Sequence, residues 1–187
     1  VSRVRIVGGS MRSRLIDVPE AMGLRPTPDR VRETLFNWLG QDLTGLRCLD
    51  LFAGSGALGF EAASRGAGEV VMVESASKVF THLQKTLERL AANNVKLLQG
   101  DALKFVTGAS LRRFDLVMLD PPFRQGWLEK LAPHLPQLLA SGARVYVESE
   151  NPLETYAGMT VIKSGKAGQV HYHLLSAEPA GHNGSGE

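Results

Sequence analysis

Leu49-Asp50-Leu51-Phe52-Ala53-Gly54-Ser55-Gly56-Ala57-Leu58-Gly59 decides the fold. An apolar run, Arg47 to Leu51, carries an acid near its end and passes through close-set glycines into a helical pattern, Ala57 to Arg65. This is a strand feeding a helix through a loop stripped of side chains, so that a ligand can approach the backbone closely. Gly54, Gly56 and Gly59 fit the G-x-G-x-x-G spacing of nucleotide loops. Taken alone, the spacing suits an NAD-dependent oxidoreductase as well as any other nucleotide enzyme.

Working outward, short apolar runs alternate with longer helical stretches. Strands are predicted at Arg47 to Leu51, Glu69 to Val73, Val95 to Gln99, Phe114 to Leu119 and Ala143 to Glu148. Helices fit between them at Ala57 to Arg65, Ala76 to Ala91, briefly after Asp101, and at Gly126 to Ala140. The alternation predicts an α/β fold with a mainly parallel sheet covered on both faces. Met159 to Lys163 and Gln169 to Leu175 are joined by Ser164 to Gly168, too short for a helical crossover, and so form an antiparallel hairpin that brings the sheet to seven strands. Upstream, Arg3 to Val7 and Ser13 to Val18 read as a small N-terminal hairpin turning at Gly8-Gly9-Ser10. Thr27 is placed to cap a helix opening at Pro28, with Val31, Leu35, Trp38 and Leu39 as its apolar face.

Asp50 favours S-adenosylmethionine as cofactor, and two further acids at strand ends support a nucleoside site. Asp50 stands where a carboxylate would accept a hydrogen bond from the methionine ammonium and would repel a pyrophosphate. Asp101 is placed for the exocyclic amine of adenine, with Ala102 beside it. Glu74, ending the next strand, suits the ribose hydroxyls of either cofactor. The plainer reading makes Asp50 and Asp101 caps or turn formers. At the end of the fourth strand, Asp120-Pro121-Pro122-Phe123 reaches the same sheet edge. An exocyclic base amine is a poor nucleophile, because its lone pair is delocalised into the ring. A carboxylate at Asp120 and a proline-fixed carbonyl at Pro121 would accept both N–H groups, and Phe123 would stack on a flipped base. Direct transfer of this kind needs neither a covalent intermediate nor a metal.

The net charge of +2 diagnoses no partner, but its distribution is uneven. Arg3, Arg5, Arg12 and Arg14 occur without an acid between Val1 and Arg14, and Arg25, Arg30 and Arg32 follow. Arginine outnumbers lysine fourteen to seven, and its planar fork both holds phosphate and stacks on bases. These seven arginines are the candidate RNA contacts. No apolar run approaches the ~20 residues of a membrane span, and no apolar stretch precedes a cleavage site, so a soluble cytoplasmic protein without membrane contact is expected. Cys48 has no cysteine partner and reads as an inert buried thiol. His171 and His173 share a strand face but lack a third ligand, and are read as surface residues of an edge strand. Trp38 and Trp127 read as core or rim packing, and Glu148 and Glu150, ending the fifth strand, as residues that cap or pair locally.

With both motifs in place, the chain resembles class I S-adenosylmethionine-dependent methyltransferases with a D/N-P-P-Y/F motif. More narrowly, it is similar to the bacterial family that methylates guanine N2 in 16S ribosomal RNA. The likeness spans Arg5 to Gly9, Leu24-Arg25-Pro26-Thr27 on through Asp29 to Leu39, Asp50 to Gly59, Asp120 to Phe123, Tyr146 to Glu150, and Ala167 to Val170. It implies a Rossmann-like fold. It also implies cofactor contacts from Asp50, Phe52, Ala53, Gly54, Ser55, Gly56, Glu74, Asp101 and Ala102, with S-adenosylhomocysteine as product. Asp120 to Phe123 would hold guanine, and the arginine-bearing hairpin would grip 16S ribosomal RNA, free or within the small subunit. A monomer is expected, with an RNA-contacting segment at 1–26, a catalytic domain at 27–178 and a tail at 179–187. The rivals are a DNA adenine-N6 methyltransferase, an NAD-dependent oxidoreductase and a non-catalytic RNA-binding protein.

Overall fold

The computed structural model describes residues 2–108 and 112–177; the expected tail, 179–187, lies outside the described residues. Strands β1 (Ser2–Arg5) and β2 (Leu15–Val18) pair antiparallel as a separate ribbon, followed by helix α1 (Asp29–Leu39). Strands and helices then alternate as β3 (Arg47–Asp50), α2 (Ala57–Ser64), β4 (Glu69–Glu74), α3 (Ser77–Leu90), β5 (Val95–Gln99), α4 (Ala102–Val106), β6 (Phe114–Leu119), α5 (Trp127–Leu131) and β7 (Leu139–Ser149). The chain closes through β8 (Thr155–Tyr156), β9 (Met159–Ala167) and β10 (Val170–Ser176).

The main sheet runs β5-β4-β3-β6-β7-β10-β9-β8, parallel from β5 to β7 and antiparallel beyond. Its central strands, such as Leu116-Val117-Met118-Leu119, are buried on both faces, which is why they read as continuous apolar runs. Two cores flank them. One packs α1, α2, α3 and the N-terminal ribbon through Val4, Ile16, Leu35, Phe60 and Leu83; the other packs α4 and α5 through Val106 and Leu131. Because α2 leaves β3 toward one face and α5 leaves β6 toward the other, the strand ends part between β3 and β6. Ligands of open α/β sheets bind at such a switch point.

Several expectations need correction. The sheet has eight strands rather than seven, since β8 adds a short edge beside β9. β9 runs on to Ala167, so the hairpin turns tightly through Gly168, at φ +58°, rather than through Ser164 to Gly168. The single helix expected over Gly126 to Ala140 is a short α5 and two 3-10 turns, each with a proline at its start, Pro133 and Pro136. Thr27 does not cap α1; its hydroxyl donates to Glu148 instead. β10 lies inside the sheet, so His173 is buried rather than an edge-strand surface residue. It accepts from Leu153 N at 3.0 Å, and its Nδ1 lies 3.1 Å from the Val147 carbonyl oxygen. Cys48 is buried as expected, and burial pushes its thiol up to about 12.

The largest revision concerns Arg32, expected at the RNA surface. It is fully buried, its guanidinium bonded to Glu61 at 3.2 Å, to the Arg5 carbonyl at 2.8 Å, to the Thr27 carbonyl and to Asp29. Glu61 also accepts the Val7 and Gly8 backbone N–H groups, while Ser64 takes those of Met11 and Ser10. Gly9 is required there, since a Cβ would lie 1.8 Å from the Ser64 carbonyl oxygen. Every residue of α2 is buried, because the sheet covers one side and the N-terminal segment the other. Arg32 is therefore an internal strut, and Arg32→Met should cost about 3–5 kcal/mol in urea denaturation by leaving Glu61 charged and short of a partner. A loss below about 1 kcal/mol would contradict this role.

Candidate active site

A cavity of about 720 Å³ opens at the C-terminal ends of β3, β4 and β6. Asp50, Phe52, Ala53, Gly54 and Ser55 form its floor, joined by Glu74, Asp101 and Ala102. Asp120, Pro121, Pro122 and Phe123 form an adjoining wall, so both motifs meet in one space. Gly56, expected to touch cofactor, does not line it. Its φ of +87° and the Phe60 ring, 2.4 Å from where a Cβ would stand, make it a packing glycine that starts α2. Gly59 does the same against Met72.

The acids differ in what holds them. Asp50 is 1% exposed; its Oδ2 accepts Gly59 N at 3.0 Å, while Oδ1 is buried with no partner. Burial, offset in part by the Gly59 N–H and least by that of Phe52, and reinforced by the charges of Glu74 and Glu148, pushes its carboxyl up to about 7. A buried oxygen with no donor fits a ligand that brings one with positive charge, and an ammonium does so. Glu74 accepts Gly54 N at 2.9 Å through Oε2 and Ala76 N at 3.1 Å through Oε1, so it shapes the glycine loop and keeps lone pairs for hydroxyl donors. Asp101 caps α4 through Lys104 N at 3.0 Å and lines the cavity as well, so the cap reading and the ligand reading both hold geometrically.

Asp120 is partly buried, and burial first, then a hydrogen bond with Glu148 and the charges of Glu148 and Asp50, raises its carboxyl well above the usual range. Pro121 is buried; Phe123 is 36% exposed at the mouth, free to meet a planar ligand. The chain then turns sharply through Arg124 (φ +63°) and Gly126 (φ +70°). The opposite wall comes from Leu24 to Thr27 and Val31, and the tight turn of the C-terminal hairpin closes one side with Ala167 and Val170. Composition and spacing assign none of these to a cavity wall, although all fall in the blocks that carry the family resemblance. Trp127, expected only as packing, also lines the cavity, edge-on to Phe52 at 5.3 Å between centroids. Glu148, expected only to cap or pair locally, does pair with Tyr146 two residues away and is also a buried wall residue.

Of the arginines, Arg5, Arg12, Arg25 and Arg30 are exposed, and Arg25 lines the cavity. Arg3 pairs with Asp17 at 3.1 Å, and Arg14 donates to the Arg89 carbonyl at 2.9 Å, both at the surface.

An open α/β sheet with a glycine loop, an unpartnered strand-end acid and Asp-Pro-Pro-Phe in one cavity defines a class I methyltransferase. The solved structure of an RNA methyltransferase from Salinibacter ruber, in complex with S-adenosyl-L-homocysteine, shares the fold at 19% identity and a TM-score of 0.65, over 81% of this chain and 93% of that one. Residues 4–176 match the family model described as Conserved hypothetical protein 95, and the chain belongs to that family. It is 44% identical over 184 residues to Ribosomal RNA small subunit methyltransferase D of Escherichia coli (strain K12), covering 96% of this chain and 92% of that protein. The solved structure of the Escherichia coli protein yhhF is 41% identical with a TM-score of 0.83, over 94% of this chain and 98% of that one.

The state of Asp50 has a measurable consequence. Its folded-state midpoint near 7 stands above the roughly 3.9 of an unfolded chain, so the native protein holds a proton that the unfolded chain releases. This group therefore lowers stability as pH rises from about 4 to 7. Asp50→Asn should melt higher than the wild type at pH 8, by roughly 1–4 kcal/mol, with the difference closing towards pH 4. Equal stability at pH 8 would refute the assignment.

Proposed function

We propose that this chain transfers a methyl group from S-adenosylmethionine to the exocyclic N2 of a guanine in small-subunit ribosomal RNA. The observation that carries the reading is the meeting of Asp120 to Phe123 with Asp50 and the glycine loop in one cavity. The 44% identity to an rRNA small subunit methyltransferase supports the substrate. When bound, the cofactor supplies an electrophilic methyl on a sulfonium. Asp50 takes the ammonium of its methionine part on the free Oδ1, Glu74 the ribose hydroxyls, and Asp101 the adenine amine, with Phe52, Ala53, Gly54, Ser55 and Ala102 shaping the floor.

Asp120 and the Pro121 carbonyl accept the two N–H groups of the guanine amine, which turns its lone pair toward the methyl and stabilises the charge that develops. Phe123, exposed at the mouth, stacks on the extruded base. The rate then comes mainly from alignment and from acceptors fixed before reaction. The exposed arginines Arg3, Arg5, Arg12, Arg14, Arg25 and Arg30 supply the phosphate contacts, and Arg32, being buried, does not. No helix among the described residues is long and apolar enough to cross a membrane, and a cytoplasmic monomer working on 16S ribosomal RNA, free or in the assembling subunit, is the setting this reading implies.

Labelled methyl transfer to ribosomal RNA from cells lacking the enzyme, offered free and as small subunits and followed by nucleoside digestion, tests this directly. N2-methylguanosine is expected; N6-methyladenosine would move the target base, and no incorporation despite cofactor binding would reject the reading. In that assay Asp120→Ala should lose about 10²–10⁴-fold in kcat while cofactor affinity holds, and a parallel loss of affinity would count against its role. Replacing Arg5, Arg12, Arg25 and Arg30 with Gln should weaken RNA binding and lower the slope of log K on log salt by about 0.7–0.9 for each phosphate no longer neutralised, and an unchanged slope would remove this face from the RNA path.

A further inference from the structure

A second, smaller hollow of about 460 Å³ lies between the loop that joins β1 to β2 and the helix α1. Gly8 and Arg12 of the loop line it, with Glu33 and Asn37 a turn apart on α1, Gln41 just past the end of that helix, and Arg65 at the end of α2. The Arg65 side chain is only 7% exposed, yet among the described residues its guanidinium donates no hydrogen bond, and Nε is buried without a partner. Its one ion pair among those residues is with Glu61, whose Oε2 stands 3.6 Å from Nε. The lone pairs of that carboxylate already serve Arg32 and the Val7 and Gly8 N–H groups. The guanidinium is held in place all the same: it lies over the Phe36 ring at 4.8 Å, and a Cβ on Gly8 would stand 2.8 Å from Nη2. Arg32, equally enclosed, directs its donors at four protein acceptors, whereas Arg65 keeps its own for something else. A fork that is fixed, desolvated and unbonded is built to meet a ligand with acceptor oxygens.

The rest of the lining suits an anion. Arg12 is exposed and forms no ion pair among the described residues. Gln41 donates to the Asn37 side-chain oxygen at 2.8 Å, which leaves the Asn37 NH₂ group as a donor. Glu33 is the one acid of the lining; it is exposed, so water and salt weaken its repulsion. The place is also right for a nucleic acid strand. Pro28 and Val31, near the start of α1, line the main cavity while Glu33 and Asn37 line this hollow, so one helix borders both. Helix α2, eight residues and so about 12 Å long, spans the same interval from the glycine loop to Arg65. A strand that offers a base to the main cavity has a backbone phosphate within reach of the hollow a short way along, beside the arginine-bearing ribbon.

We propose that this hollow is a phosphate site for the substrate strand, in which Arg65 and Arg12 hold one RNA backbone phosphate between them and Asn37 supplies a further donor. The proposal rests on the RNA methyl-transfer reading above. A guanidinium fork meets two phosphate oxygens in parallel, and Arg65, already ordered by Phe36 and Gly8, loses little freedom in doing so. The exposed arginines of the ribbon attract the strand, and the fixed fork of Arg65 sets its register over the main cavity.

The test is the affinity for small-subunit ribosomal RNA over a range of salt, measured beside S-adenosylmethionine binding and methyl transfer on the same proteins. Arg65→Gln should weaken RNA binding about tenfold and lower the slope of log K on log salt by about 0.7–0.9, the share of one phosphate, with cofactor affinity unchanged. Arg65→Lys keeps the charge but not the fork, so the slope should hold while part of the affinity is lost. Glu33→Gln removes the opposing charge at the surface and should tighten RNA binding about threefold, a gain that a structural role would not give, and it serves if the Arg65 variants do not fold. Wild-type RNA affinity and slope in a folded Arg65→Gln, a loss of RNA binding only in step with a loss of cofactor binding, or a Glu33→Gln that binds no tighter would each overturn the site while methyl transfer by the wild type upholds the functional reading. Absence of methyl transfer to any RNA by the wild type would overturn that reading, and this site with it.

Discussion

An almost wholly buried carboxylate with one oxygen unpartnered is the constraint around which this site is built. Asp50 could be relieved by an arginine or lysine, yet among the described residues it has none, and Glu74 and Glu148 add negative charge to the same cavity without a basic ion-pair partner. Such an arrangement costs stability while the cavity holds only water. It becomes favourable when a cation arrives, and a cofactor that carries both an ammonium and a sulfonium supplies two positive centres to it. On the proposed function the strain becomes a form of recognition: a dinucleotide, whose pyrophosphate is anionic, would meet repulsion where S-adenosylmethionine would meet attraction.

Helix α2 carries that constraint to the rest of the molecule. Near its start Gly59 donates to Asp50, and further along Glu61 binds Arg32 and the backbone of Val7 and Gly8. Its last residue, Ser64, holds the loop between β1 and β2. Eight buried residues therefore join the cavity floor to the N-terminal ribbon that carries the outward arginines. Arg32 also fixes the Thr27 carbonyl, and the Thr27 hydroxyl reaches Glu148, so the wall facing Asp120 is anchored to the same helix. The surface proposed to grip RNA and the pocket proposed to modify it are parts of one packed unit, with Val4, Ile16 and Phe60 in a common core.

The sheet was legible because its strands are buried on both faces and announce themselves as unbroken apolar runs, Val70 to Val73 and Leu116 to Leu119 among them. The floor of the site was legible because Asp50, Glu74 and Asp101 stand at strand ends, where the chain itself sets their position. The walls were not. Glu148 reads as a local cap or partner until Thr27 is brought to it from far away in the sequence, and nothing in its neighbours announces the contact. Arg32 misleads for a related reason: in a run of exposed arginines only the helical phase marks it as inward, and its burial depends on Glu61, twenty-nine residues away. Gly56 fits a motif spacing while serving packing, because spacing does not say which face of a glycine meets the ligand. The break of the helix after α5 is written in Pro133 and Pro136.

The central claim is that the buried Asp50 carboxylate recognises a cationic cofactor, and proton linkage tests it most directly. Calorimetric titration of S-adenosylmethionine into the protein near pH 6.5, in buffers of different ionisation enthalpy, should show protons released on binding, because the arriving ammonium ionises a carboxyl that is partly protonated with its midpoint near 7. Asp50→Asn should bind more weakly and lose that release. Tight binding with the same heat in every buffer, or undiminished affinity in Asp50→Asn, would contradict the account.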